Sequence, residues 1–432
     1  MKLGNMTVRI LKTCLCLILF AVLFTCAGCG FSKLKKDMSF VKGNFCFIKG
    51  DVGPQTDAVK PVMVVLWKDG DPKRTVLRYW FMQGRGGFQF MANAPGEYRM
   101  MAFEDENGDM EPDGQEPFGL YPDNGSLKVK PDQKVEGIKI IMGAMAREDM
   151  PAITVKTLGM GLSANDPKLK VSLDEVTTLD NPRFSQENAD MGQWEPSRFV
   201  REVGGGVFFL EPYDPSRMPV LFVHGANGSP RDWRYIIEHM DKKRIQPWMA
   251  YYASGVPLDT TSEMFYRALT ELQVKYGFKQ IGIVAHSMGG LLSKGIINEM
   301  INRKSPVGMP LYATISTPWG GHEAAEMGTK DAPEVVPSWW DVIPGSPYIE
   351  KLWKTPLPDD MRYYLLFGFS GKESLMLSRN NDGVVDIASE LDLTAQKAAT
   401  GIRGFNEDHN SILKSKEVVE YLNSIYRSLR AL

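Results

Sequence analysis

Cysteine is scarce in this chain of 432 residues: there are five, and Cys14, Cys16, Cys26 and Cys29 crowd together near the N-terminus. Beyond them only Cys46 remains, so the rest of the chain has no partner for an internal disulfide and must hold together by packing. A surplus of charge is missing as well, since 50 Lys and Arg face 52 Asp and Glu for a formal net charge of -2. Such a balance removes the general reason to expect nucleic acid or another polyanion as a partner. Repeats and low-complexity tracts are absent, which removes solenoid architectures. Histidine is also rare, with five in all, so chemistry that uses imidazole has few candidates.

What is present suits a folded protein: 43% hydrophobic and 10% aromatic residues, in a length that allows two domains. At the N-terminus Lys2, Arg9 and Lys12 precede the apolar run from Cys14 to Ala27, which has the length of a signal-peptide core and is short for a membrane-spanning helix. The run ends in Thr25-Cys26-Ala27-Gly28-Cys29, which resembles a bacterial lipobox, with Cys26 where Leu is usual. The resemblance implies a lipoprotein signal peptide over 1–28, lipid on the Cys29 thiol and a short tether over 29–39. An ordinary secretory signal or an uncleaved anchor helix is the plainer alternative, and either one also takes the protein out of the cytoplasm. Gly30 follows the cysteine where an Asp would favour retention at an inner membrane, so the outer membrane or cell surface is the expected address. Several acyl chains on Cys29 would anchor almost permanently, each buried methylene contributing about 0.8 kcal/mol.

Residues 40–145 read as a small all-β sandwich domain, with VMVVLW, VLRYWFM, GFQFMA, YRMMAFE and GIKIIM set between clusters of Gly, Pro, Asp and Asn. The stretch GGFQFMANAPGEYRMMAFEDENGD resembles a hairpin of prealbumin-like and carboxypeptidase-regulatory-like modules, and nothing in it has catalytic character. Asp105, Asn107, Asp109 and Glu116 take the first, third, fifth and twelfth places of an EF-hand-type calcium loop. Met110 holds the sixth place, where the turn calls for Gly, and no helices flank the loop. A solvated hairpin loop is therefore the competing reading. Residues 146–203 are polar and mixed and read as a connecting region with one or two strands in it.

Over 204–432 the pattern changes to compact apolar strands, VFFLE, VLFVHG, WMAYYAS, QIGIVAHS and LYATIST, several separated by helix-length segments. That alternation predicts a mostly parallel sheet covered on both faces. The strand from Gly282 to Ala285 runs into the helix opening Met288-Gly289-Gly290-Leu291-Leu292, so Ser287 lies on a sharp strand-to-helix turn. Such a turn needs small residues two places before and after the serine, where the chain presses on the flanking elements, and Ala285 and Gly289 satisfy it. The wording AHSMGG is similar to the nucleophile elbow of the α/β-hydrolase superfamily, in the form carried by a group of small bacterial lipases.

That resemblance covers roughly the last half of the chain, and its other motifs follow in the required order. Val223-His224-Gly225-Ala226-Asn227-Gly228 is similar to the HG-type oxyanion loop, Asn380-Asn381-Asp382-Gly383-Val384-Val385-Asp386 to the acid loop, and His409 stands in a polar loop before the last helix. The resemblance implies Ser287 as nucleophile, His409 as base, Asp382 as acid, and the N–H groups of Ala226 and Met288 as oxyanion hole. Asp386 is the alternative acid, or a solvated or capping residue. Of the other histidines, His224 is expected to pack behind the oxyanion loop, His286 to point away and His239 to end a surface helix, while His322 follows a cap-region loop and is the fallback base. Ile315 to His322 resembles the STPxxG loop of lipases. The insertion at about 322–360 concentrates Val335, Val336, Trp339, Trp340, Val342, Ile343 and Trp353, either as a lid over an acyl pocket or as the core of a static cap.

The expectation is thus an α/β-hydrolase catalytic domain with a mostly parallel sheet, preceded by a small all-β sandwich domain. Its implied activity is hydrolysis of carboxylic esters, lipase- or esterase-like, with an ester or lipid substrate, a membrane held through the N-terminal lipid, no nucleic acid, and no cofactor other than a structural calcium at the loop above. The alternatives are a thioesterase, amidase or glycolipid deacylase on the same fold, and a non-catalytic surface binding lipoprotein.

Overall fold

The computed structural model describes residues 29–54, 60–72, 74–106, 112–113, 116–143, 171–371 and 380–429. The signal segment, Asn107, Asp109 and the first part of the connecting region lie outside the described residues. Residues 29–44 form a helix, α1, where a tether was expected over 29–39. Leu34 and Asp37 are buried on its inner side. Asp37 accepts the Ser197 and Arg198 N–H groups at 2.8 and 3.0 Å, at the start of a helix that has no cap of its own from Glu195. The docking of α1 is therefore an N-cap supplied from another element.

The first domain consists of β1 (Phe45–Gly53), β2 (Pro61–Lys68), β3 (Val76–Gln83), β4 (Gly87–Asn93), β5 (Gly96–Glu104), β6 (Phe118–Tyr121), β7 (Leu127–Val129) and β8 (Lys134–Ile141). One sheet has the order β4-β1-β8 and the other β3-β2-β5-β6, with β7 on β5. Alternate residues of both sheets, among them Ile48, Val64, Phe88, Met100 and Ile138, meet in a shared core. Strand β2 is buried on both faces, because Met63, Val65 and Trp67 join Tyr79, Phe81 and Phe103 in a second cluster. In the loop read as a calcium site, Glu116 accepts the N–H groups of Glu106 at 2.8 Å and Asp113 at 3.2 Å. Its described part is a backbone clasp.

The second domain is one eight-stranded sheet: β9 (Val171–Val176), β10 (Gly205–Phe209), β11 (Met218–Val223), β12 (Ile245–Tyr251), β13 (Gln280–His286), β14 (Gly308–Ile315), β15 (Arg362–Gly368) and β16 (Gly401–Phe405). Its order is β16-β15-β14-β13-β11-β12-β10-β9, and only the β10–β12 pair is antiparallel. The later part of the expected connecting region belongs to this domain, since β9 extends the sheet beside β10. Two further helices of that part are α2 (Gln186–Trp194) and α3 (Pro196–Glu202). The remaining helices are α4 (Arg234–His239), α5 (Leu258–Tyr276), α6 (Met288–Asn302), α7 (Glu323–Asp331), α8 (Trp339–Val342), α9 (Pro347–Leu352), α10 (Ile387–Glu390), α11 (Leu393–Ala398) and α12 (Lys416–Ser428). Separate apolar clusters on the two faces of the sheet explain why its central strands are hydrophobic throughout. This is the α/β-hydrolase arrangement expected from the sequence. No helix among the described residues is long and apolar enough to cross a membrane.

Helix α5 joins the domains. The Arg267 guanidinium is buried, donates to the Tyr79 carbonyl and stacks 4.0 Å over the Trp80 ring. Tyr79 in turn donates its hydroxyl to Glu271 at 2.8 Å. Burial pushes the Glu271 carboxyl up to about 7, against the opposing pull of Arg267 and then Tyr79. Removing the cation leaves that acid buried without its counter-charge, so Arg267→Ala is expected to destabilise the protein by roughly 3 kcal/mol or more, read by chemical denaturation.

Candidate active site

Strand β13 ends at His286 and α6 begins at Met288, leaving Ser287 alone to make the turn. It does so at φ 53° and ψ -132°, a backbone conformation that a residue with a side chain rarely adopts. The turn is held from outside: Ser287 N–H donates to the Ile315 carbonyl at 2.9 Å, and its own carbonyl accepts Gly290 N–H at 2.9 Å. Close packing accounts for two glycines. A Cβ on Gly289 would lie 2.4 Å from the His224 carbonyl oxygen, and one on Gly225 would lie 2.8 Å from Ser287 Cβ. The HG loop is thus pressed directly against the nucleophile turn. Because the strain at Ser287 is of order 1–3 kcal/mol, Ser287→Gly is expected to raise the melting temperature while removing the hydroxyl, a shift that differential scanning calorimetry reads.

The Ala226 and Met288 N–H groups have no hydrogen-bond partner among the described residues. Around them the loop is rigid: Asn227 N–H donates to Ser254 Oγ at 3.0 Å, and Ser254 donates to Gln193 Oε1 at 2.7 Å. Gln193 comes from α2, in the segment that reads as a connector. His224 is buried and stacked on Tyr252 with ring centroids 4.2 Å apart. Its Nδ1–H donates to the Gly225 carbonyl at 2.8 Å, and burial lowers its basicity to about 4, so it is a neutral packing group.

Asp382 and His409 meet although they are far apart in sequence. His409 Nδ1–H donates to Asp382 Oδ2 at 2.5 Å, and His409 N–H donates to the Asp382 carbonyl at 2.7 Å. The other Asp382 oxygen accepts the N–H groups of Val384 at 2.9 Å and Val385 at 2.7 Å. Burial works against the charge on this carboxylate, but His409 and the two backbone donors outweigh it and bring the group down to about 2. Asp386 is the N-cap residue of α10. His286 does not simply point away: its Nε2–H donates to the His409 carbonyl at 2.8 Å, and the two rings lie 4.7 Å apart. Desolvation, then the neighbouring His409, hold His286 neutral, near 3. It therefore ties the loop that carries His409 to the residue before Ser287, a role that adjacency to Ser287 alone did not reveal.

Residues 215–330 match the model of a family described as "Putative serine esterase (DUF676)". The match supports a serine hydrolase of the esterase kind. It spans the HG loop and Ser287 and ends before Asp382 and His409. No curated protein matches the chain. Similar solved structures include a protein of Listeria innocua, at 16% identity over 50% of this chain and 96% of that one, with a TM-score of 0.39. Others are a metagenome-derived lipolytic enzyme, at 14% identity over 50% and 95% with a TM-score of 0.36, and a Staphylococcus hyicus lipase, at 14% over 51% and 95% with a TM-score of 0.33.

Between the acid loop and the insertion after β14 lies a cavity of about 380 Å³, bordered by Gly321, His322, Pro344, Val384, Asp386 and Ser389. His322 is half-buried there, with Nδ1 unpartnered, and burial followed by the nearby His409 lowers its basicity. The insertion itself is mixed: Val336, Val342 and Leu352 are core, Trp339 and Trp353 pack partly against it, and Trp340 is 52% exposed. Much of the apolar segment thus serves as core packing.

Proposed function

We propose that this chain is a lipid-anchored hydrolase of carboxylic esters in which Ser287 forms the acyl-enzyme. The observation that carries the reading is Ser287 strained at the end of β13, one residue from the His286 that holds the loop of the Asp382-bound His409. Ser287 Oγ attacks the acyl carbonyl as His409 Nε2 takes its proton, and the tetrahedral intermediate then collapses with cleavage of the ester C–O bond, His409 returning that proton to the departing oxygen so that the alcohol leaves and the acyl group stays on Ser287. Asp382 stays ionised and stabilises the imidazolium. The N–H groups of Ala226 and Met288 receive the oxyanion, and water, activated by the same histidine, releases the acid.

A fluorophosphonate probe tests the reading: it should label the folded wild type at Ser287, and a folded protein that takes no label would overturn the assignment. A series of p-nitrophenyl esters of increasing acyl length then separates esterase from lipase, a preference for short chains favouring the former. The anchor is a separate part of the proposal. It rests on the lipobox resemblance, and Cys29 is exposed at the first turn of α1. Incorporation of a labelled fatty acid, lost in Cys29→Ala together with retention in the membrane fraction, is the expected outcome.

A further inference from the structure

One buried acid has no place in the mechanism above. Glu390, the last residue of α10, is 1% exposed, and neither of its carboxyl oxygens has a hydrogen-bond partner among the described residues. Its carboxyl stands with Asp382 and His409 in one group, the ligand-type atoms of all three lying within 4.8 Å of one another. Ser316 lies beside the Glu390 carboxyl. It is wholly buried and is held at φ 49° just beyond the end of β14. A cation would find suitable spacing here, but Asp382 Oδ2 and His409 Nδ1 already bond each other at 2.5 Å, and coordination would break that pair.

Two carboxyls this close in a dry site cannot both be ionised. The donors decide which one keeps the charge. Asp382 receives three N–H groups, from His409, Val384 and Val385, whereas Glu390 receives none. We propose that Glu390 holds a proton and acts as a positioning residue, a neutral acid that donates to the Asp382 carboxylate and keeps it aimed at His409. Burial, and then the Asp382 charge, push the Glu390 carboxyl up to about 10, with the Ser316 hydroxyl pulling the other way. The titratable groups around it are Asp382 and His409, with His322 near that pair and Asp386 at the other end of α10.

The inference rests on the proposed triad, and two variants with two kinds of readout test it apart from that reading. Glu390→Gln keeps shape and a donor without charge. It should hold kcat within roughly threefold of wild type and leave the acid limb of the kcat/KM profile in place. Glu390→Leu removes the donor and should cost roughly ten- to a hundredfold in kcat with little change in KM. Independently of turnover, the wild type at pH 7 should show an infrared carbonyl band of a protonated carboxylic acid that Glu390→Gln lacks. Stability gives a second such check. A carboxyl raised from 4.5 to about 10 in the fold keeps its proton where the unfolded chain loses it, so wild-type stability should fall across that range relative to Glu390→Gln. An acid limb that moves downward in Glu390→Gln, an absent band, or a folded Glu390→Leu with wild-type kcat would overturn the proposal. If Ser287→Ala keeps its activity while the band is present, the triad reading fails and the protonated acid stands.

Discussion

Ser287→Ala is expected to lower turnover of an activated ester by roughly 10⁵- to 10⁶-fold while leaving the fold intact. The size follows from the proposed role: without Oγ the proposed acyl-enzyme cannot form, and what remains is binding and the proposed oxyanion hole acting on water. The fold is spared because Ser287 makes its turn through backbone bonds to Ile315 and Gly290, and no side-chain hydrogen bond of Ser287 supports the helix. Steady-state rates with p-nitrophenyl esters, read with circular dichroism on the same sample, check both halves. A folded Ser287→Ala protein with more than a few per cent of wild-type rate would require another nucleophile.

Asp382→Asn should cost about 10⁴-fold in kcat. The carboxylate accepts His409 Nδ1–H at 2.5 Å, which in the proposed mechanism keeps Nε2 free to receive the serine proton, whereas an amide can donate to Nδ1 and select the wrong tautomer. His409→Ala should fall into the same range, and near-full turnover in that variant would move the base to His322 in the cavity wall. The same carboxylate has a stability signature. Its folded value of about 2 lies below its ordinary 3.8, so its contribution is complete above that ordinary value and is lost as pH falls through 2. At about 1.4 kcal/mol per pH unit the contribution is roughly 2 kcal/mol. Urea denaturation between pH 4 and 2 should show that loss in the wild type and a flatter curve in Asp382→Asn.

Much of this was legible along the chain because it is local. The elbow needs Ala285 and Gly289 around one serine, and the acid loop needs a Gly after Asp382, where φ is +99° at Gly383. Central strands are read from unbroken apolar runs. The edge strands are fainter: β9 falls in the stretch expected to hold one or two strands without being located there, and β16 is not read at all, because Val171–Val176 and Gly401–Phe405 are short, interrupted by Asp, Glu, Gly or Arg, and become strands only by pairing with β10 and β15. In the first domain β1 was hidden by its glycines, and β6 and β7 by their brevity.

The groups that support the candidate site were not legible for a different reason, since each acts across a long stretch of chain. Asp37 in α1 caps α3, Gln193 braces the oxyanion loop through Ser254, and His286 holds the carbonyl of His409. Glu390 belongs to no motif along the chain, and its burial comes only from tertiary packing. By itself the sequence determined the order of motifs, the turn that makes Ser287 stand out and the apolar strands that build the sheet, because these depend on neighbours a few residues away. Tertiary structure decided which acid keeps its charge and which keeps its proton, since that depends on the backbone N–H groups and buried charges that folding brings within a few ångströms of Asp382.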